Sequence, residues 1–195
     1  MIEAIRAALA VGTKRLARAR TVNACTLRRF ARREDGAAAV EFAIVAAPFL
    51  ALMFAIMETA LVFFAGQALE TAVADSSRLI LTGQAQSQGM GADQFKDAVC
   101  AKITGMFNCA SGVSINVQKF SSFASVSMLN PLDQSGQFNN ASLQYQPGGP
   151  GDIVVVQLFY QWPVYVSLLG FNLSDMAGGK RLLAGTAAFR VEPYK

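Results

Sequence analysis

Three places in this sequence carry residues whose type and spacing could do chemistry. Gly36 is followed by Ala37, Ala38, Ala39, Val40, Glu41 and Phe42, and Glu41 is the last charge before sixteen uncharged residues. Glu58 interrupts an apolar stretch that resumes and stays uncharged until Glu70. A carboxylate in such company must meet a hydrogen-bond donor, because an ionisable side chain inside a membrane span is costly and rarely idle. Cys100 and Cys109 can close a disulfide or remain two buried thiols. The sequence contains no histidine, which excludes Ser-His-Asp and Cys-His catalysis and any histidine metal site. Two cysteines without histidine are too few for structural zinc, so neither a metal nor a cofactor is implied. GMGADQ lacks the third glycine of a dinucleotide fingerprint, and AGGKR lacks the spacing and hydroxyl of a phosphate loop. No small-molecule substrate is evident.

The elements that position these residues follow from hydropathy and charge. The chain has 195 residues, 53% apolar and 15% charged, against roughly 25% charged in an average soluble domain. Residues 42–66 as a helix would extend about 37 Å, enough to cross a hydrocarbon core of about 30 Å. A transmembrane helix is therefore expected, rather than a buried core helix or a secretory signal, whose apolar region would be about 7–15 residues long. Residues 1–36 hold nine Lys/Arg against three Asp/Glu, and the remainder holds eight against ten. With Arg28, Arg29, Arg32 and Arg33 just before the span, the positive-inside rule predicts a cytoplasmic N-terminus and an outer C-terminal part. A mitochondrial transit peptide and a nucleic-acid-binding arm are weaker readings of the same basic leader; no nucleic acid is expected as a partner. Pro48 frees a carbonyl inside the span, which a neighbour or a local kink must satisfy.

The predicted domains are a basic leader at 1–36, the membrane helix with its extension at 37–82, a flexible linker at 83–92 and an outer domain at 93–195. In the outer domain Asp93 is expected to cap a short helix, with Phe95, Val99, Ile103 and Phe107 on one face. VSINVQKF places Val113, Ile115 and Val117 on one side of a strand. DIVVVQLFYQW does the same with Val154, Val156, Leu158, Tyr160 and Trp162, and LAGTAAFRVE supplies a last strand. The fold class is α+β with an antiparallel sheet. An outer location favours the Cys100–Cys109 disulfide, whereas Cys25 falls in the cytoplasmic leader and should be unpaired.

The junction RREDGAAAVEF at 32–42 resembles the processing site of type IV prepilins. The longer run GAAAVEFAIVAAPFLALMFAIMETALVFFAGQALETAVADSSR is similar to the TadE-like segment of the tight adherence pilus system, with Glu58 as a second acid in the span. The Cys100/Cys109 pair, GPGDIVVV at 149–156 and FRVEPY at 189–194 look similar to longer members of that family. Thr59-Ala60 departs from it where an aromatic and a glycine are common, and Val191 stands where Asn is frequent. The resemblance implies a pseudopilin, an assembly component rather than an enzyme, cut after Gly36 by a prepilin peptidase and used in building Flp pili. It carries Gly36 and Ala37 over as the processing site and Glu41 as an assembly residue, with Phe42 and Glu58 beside it. It also implies the bacterial inner membrane, a periplasmic C-terminal domain, and other pseudopilins and assembly platform proteins as partners.

Ala43, Ala47, Ala51 and Ala55, with Ala39 before and Thr59 after, recur every fourth residue and form a face that permits close helix packing. The competing class is a permanently anchored periplasmic binding or scaffold domain that keeps its leader. An anchored hydrolase is a third reading, disfavoured by the absence of histidine and of a nucleophile motif.

Overall fold

The computed structural model describes residues 36–103, 105, 107–166 and 172–194. The leader readings, Cys25 among them, lie outside the described residues. Helix α1 spans Ala37–Leu81, followed by the single turn α2 (Gln84–Ser87), α3 (Ala92–Cys100) and the single turn α4 (Cys109–Gly112). Three strands complete the fold: β1 (Val113–Phe120), β2 (Ile153–Pro163) and β3 (Lys180–Arg190). The sheet order is β1-β2-β3 and both pairings are antiparallel. The architecture is thus the α+β arrangement that the alternation of apolar residues predicts.

Ala and Leu are frequent in α1 and favour the helix, which continues through Pro48. It stops at Gly83, whose φ of +76° ends the helix in the left-handed conformation, with its N–H donating to the Ile80 carbonyl. Two compact units divide the chain between Leu50 and Ala51. Described residues of the first are helical apart from Gly36 at the helix entrance. The second holds the rest of α1 and all that follows, so the folded unit takes in part of the helix that the sequence assigns to the membrane segment. No residue from Ala37 to Met57 is buried, a length of about 31 Å. From Glu58 on, one face of α1 is covered: Glu58, Val62, Ala65, Leu69, Ala72, Val73, Ser76, Ser77 and Ile80 are buried. The uncovered stretch therefore ends at Met57, short of the end of the 42–66 span expected from hydropathy, because the chain just beyond β2 covers Glu58.

β3 runs alongside α1. A Cβ on Gly185 would lie 2.9 Å from the Leu69 carbonyl oxygen, and the Glu192 N–H donates to the Leu81 carbonyl at 2.9 Å. The lengths agree, since Glu58–Leu81 rises about 35 Å and eleven strand residues span about 36 Å. Val113, Val117, Val154, Val156, Leu158 and Leu183 join the buried α1 residues in one core, to which α3 adds Phe95 and Val99, and the following loop Ile103 and Phe107. All four of those side chains are buried as their spacing predicts, although α3 itself ends at Cys100. Gln94, rather than Asp93, caps α3: its Oε1 accepts the Gly91 N–H, and Asp93 sits in the first turn, where an acid suits the helix dipole.

The segment 83–92 is structured, contrary to the flexible linker its Gly/Gln/Ser composition suggests. Ala85 is buried, and Gln86 Nε2 donates to the carbonyls of Ile80 and Pro147. The residues between β1 and β2 cover the second face of the sheet. There Asn116 Nδ2 donates to Gln157 Oε1, which also accepts the Leu129 N–H, and Phe138 packs edge-on to Phe159. Residues 144–146 then flank the free edge of β1: Val117 N–H donates to the Gln144 carbonyl and Gln146 N–H to the Val117 carbonyl. Tyr145 projects beside Phe95, and its hydroxyl is buried without a hydrogen-bonding partner among the described residues.

Burying an unpaired hydroxyl costs about 1–3 kcal/mol, so Tyr145→Phe is expected to raise stability by roughly 1 kcal/mol in thermal unfolding. Burial also pushes the Tyr145 phenol above its usual value near 10. A raised value means that the contribution is complete below the unfolded pKa and lost as pH rises through the folded one. The phenylalanine variant should lack that alkaline step; an identical pH profile would contradict the assignment.

Candidate processing and assembly site

Gly36 immediately precedes α1 and Ala37 is its first residue. Both are exposed, and a Cβ added to Gly36 would meet nothing within 4 Å. Nothing in the described fold therefore requires a glycine at this position. Glu41 lies one helical turn after Ala37 and is exposed, as is Phe42 beside it at 74%. The first turn of α1 has no acidic residue, so Glu41 is the first carboxylate along this helix. Ala43 and Ala47 are exposed and Ala51 and Ala55 half-buried. Chemically this is an accessible peptide bond followed by a single carboxylate on an otherwise apolar rod.

The structure places Glu58 elsewhere. Its carboxylate is buried and accepts two consecutive main-chain N–H groups, from Tyr165 and from Val166, the latter at 2.9 Å. The sequence indicates that this acid needs a donor, and places it on the alanine face next to a neighbouring helix. The donors come instead from the chain beyond β2, more than a hundred residues away. Charge-assisted bonds of this kind are among the stronger ones. No local pattern around Val164–Val166 signals this partner, because the signal is three-dimensional.

Cys100 and Cys109 form the disulfide expected from their placement, with Cα atoms 5.5 Å apart. It joins the end of α3 to α4 and so to the entrance of β1. Beside it Phe107 packs edge-on to Tyr160, with ring centroids 4.8 Å apart, and against Trp162. Closing so short a loop stabilises by roughly 2–3 kcal/mol. Replacing both cysteines by serine is therefore expected to lower the unfolding midpoint by that amount of stability, and an unchanged midpoint would show the bridge to be dispensable.

The two C-terminal motifs meet each other. Asp152 Oδ2 accepts the Gly149 N–H, Gly151 N–H donates to the Val191 carbonyl, and Val191 N–H returns to the Asp152 carbonyl. Arg190 Nε donates to the Gly151 carbonyl. At the same end, the Tyr194 ring covers Gly83, where an added Cβ would lie 2.1 Å from it. GPGD and FRVEPY thus form one clasp at the end of α1, a packing role for these residues.

Among the described residues, α1 is the one helix long and apolar enough to cross a membrane. No curated protein and no solved structure matches the chain. A family model does, that of the TadE-like proteins, over residues 36–78. The match begins at Gly36, takes in Glu41, Phe42, the alanine face and Glu58, and stops three residues before the end of α1. Residues 36–78 are thus similar to the TadE-like proteins, in a chain of α+β fold with a candidate membrane-spanning helix.

Proposed function

We propose that the chain is a minor pilin-like component of tight adherence pilus assembly, held in the bacterial inner membrane by α1 with its folded part in the periplasm. It is an assembly component and not an enzyme. The observation that carries this reading is the TadE-like match starting at Gly36, on a helix whose first part is uncovered by protein. The open space at Gly36 adds support, since a glycine that the fold does not need fits recognition by a prepilin peptidase. From Ala37 to Ser77 the chain has no Lys or Arg, so cutting at Gly36 removes the positive side chains that resist drawing the helix out of the bilayer.

On this reading Glu41 meets the new amine of a neighbouring subunit, and Ala43, Ala47, Ala51 and Ala55 provide the helix face along which other pseudopilins or assembly platform proteins pack. Glu58 serves the chain's own fold. Intact mass of the protein extracted from membranes tests the proposal: the expected species begins at Ala37. A full-length species in cells that process their other pilins would favour a permanently anchored periplasmic scaffold.

A further inference from the structure

We infer that Trp162, Tyr165 and Val166, at and just beyond the end of β2, form with Phe54, Met57 and Leu61 of α1 a lipid-contact surface that seats the folded unit on the bilayer, with Glu58 as its positioning residue. Within the unit that starts at Ala51, α1 exposes Phe54, Met57 and Leu61, each about half exposed, and Phe63 and Phe64 more fully. These side chains need an apolar medium. Directly against them lies an open, nearly wholly apolar groove formed by Phe54, Met57 and Leu61 with Trp162, Tyr165 and Val166. Phe54, Met57 and Leu61 line the groove and are also about half exposed on α1, so the medium that covers one covers the other.

Three features fit a phospholipid surface as the occupant. Tyr165 is 82% exposed next to Trp162, and amphipathic aromatic rings concentrate where hydrocarbon meets headgroups. The N–H groups of Tyr165 and Val166 would be costly to place at the edge of lipid, and Glu58 accepts both, so neither these two donors nor the acid enters unpaired. Lys180 and Arg181 pair with Pro163 and Trp162 across the hairpin, which puts two cations at the same end, suited to anionic phosphates. Asp175 is also there, but its Oδ1 is engaged by the Leu182 N–H.

The inference rests on α1 crossing the membrane, and the chain offers a direct probe because Trp162 is its single tryptophan. The full chain is reconstituted into phosphatidylethanolamine–phosphatidylglycerol vesicles whose acyl chains are brominated either near the glycerol or at the terminal end. Bromines near the glycerol should remove about half of the Trp162 emission and terminal bromines little of it, as expected for a ring at interfacial depth. Tyr165→Ser, at an exposed position, should reduce that quenching without changing the unfolding midpoint. Glu58→Gln, which keeps one acceptor oxygen, should reduce it less than Glu58→Ala. If the protein floats with the vesicles but neither bromine position quenches, the lipid contact is overturned and the membrane anchor stands. If it fails to float, the anchor reading falls too. Shielding of Trp162 from both lipid bromines and aqueous acrylamide would assign the groove to a second copy and likewise overturn the contact.

Discussion

Replacing Gly36 by leucine is expected to leave the chain at its full 195 residues in the membrane and to abolish its part in piliation, with the folded unit intact. The fold has room for the larger side chain, so the effect isolates recognition of the peptide bond from stability. An uncut chain keeps nine Lys/Arg in its leader, and each would cost about 2.5–3.5 kcal/mol at the centre of a bilayer. Glu41→Ala should behave differently: cut normally, yet unable to support piliation. Cleavage creates an α-amine on Ala37 with a reference pKa near 8, largely cationic at neutral pH. In an array, the Glu41 carboxylate of one subunit can reach the amine of the next. Much of that attraction offsets desolvation, so the pair acts chiefly as a guide to register. A mature N-terminus other than Ala37, or normal piliation by the Glu41→Ala variant, would sink this account.

The second large effect is expected at Gly185. A Cβ there would sit 2.9 Å from the Leu69 carbonyl oxygen, 3.0 Å from its carbon and 3.2 Å from the Glu70 nitrogen, all of them backbone atoms of α1. Backbone cannot swing aside as a side chain does. Gly185→Ala must push β3 away from the helix, at a cost of about 1–3 kcal/mol. Gly185→Val adds two methyl groups at the same point and should prevent the sheet from closing on α1. Gly66 makes the control, since an added Cβ there meets nothing within 4 Å. Alanine in that helical position should stabilise by up to about 1 kcal/mol. Limited proteolysis and thermal unfolding in detergent would show opposite signs for the two alanine variants; equal effects would mean that the close approach of β3 to α1 is not what holds the sheet.

Much of this fold can be read along the chain, because helix α1 and the three strands are written in local periodicity. The unbroken apolar run between Glu41 and Glu58 and the alternation in VSINVQKF and DIVVVQLF need no tertiary context. What resists reading is set by contacts over long separations. Gln86 looks like linker composition, and its bond to the distant Pro147 carbonyl, with the burial of Ala85, makes the segment a structured turn. Asn116 and Gln157 look like solvent-facing members of their strands, yet they are buried against each other beneath the chain near Leu129. The run Ile153–Val156 carries apolar residues on both faces, the pattern of a strand covered on both sides, though alternation draws the eye to one. At the candidate site the pattern is the reverse. Gly36, Glu41, Ala43 and Ala47 are conspicuous in sequence and stay exposed in the described structure, whereas the partner of Glu58 can be found only in three dimensions.

The close approach of Gly185 to Leu69, and of Glu192 to Leu81, also fixes an order of events during synthesis. The ribosome delivers Leu69 and Leu81 more than a hundred residues before Gly185 and Glu192, which meet them. Until then Val62, Leu69, Val73 and Ile80 have no cover from β3, and the contacts that close the core are among the most distant in the chain. Topologies of this kind fold slowly, since distant segments must meet before any stabilisation follows. The nascent protein therefore spends that interval with an open apolar flank, a condition in which chains aggregate or need a chaperone. A product truncated before Lys180 would lack the strand that covers this flank, which makes the synthesis of β3 the step that commits the molecule to its native form.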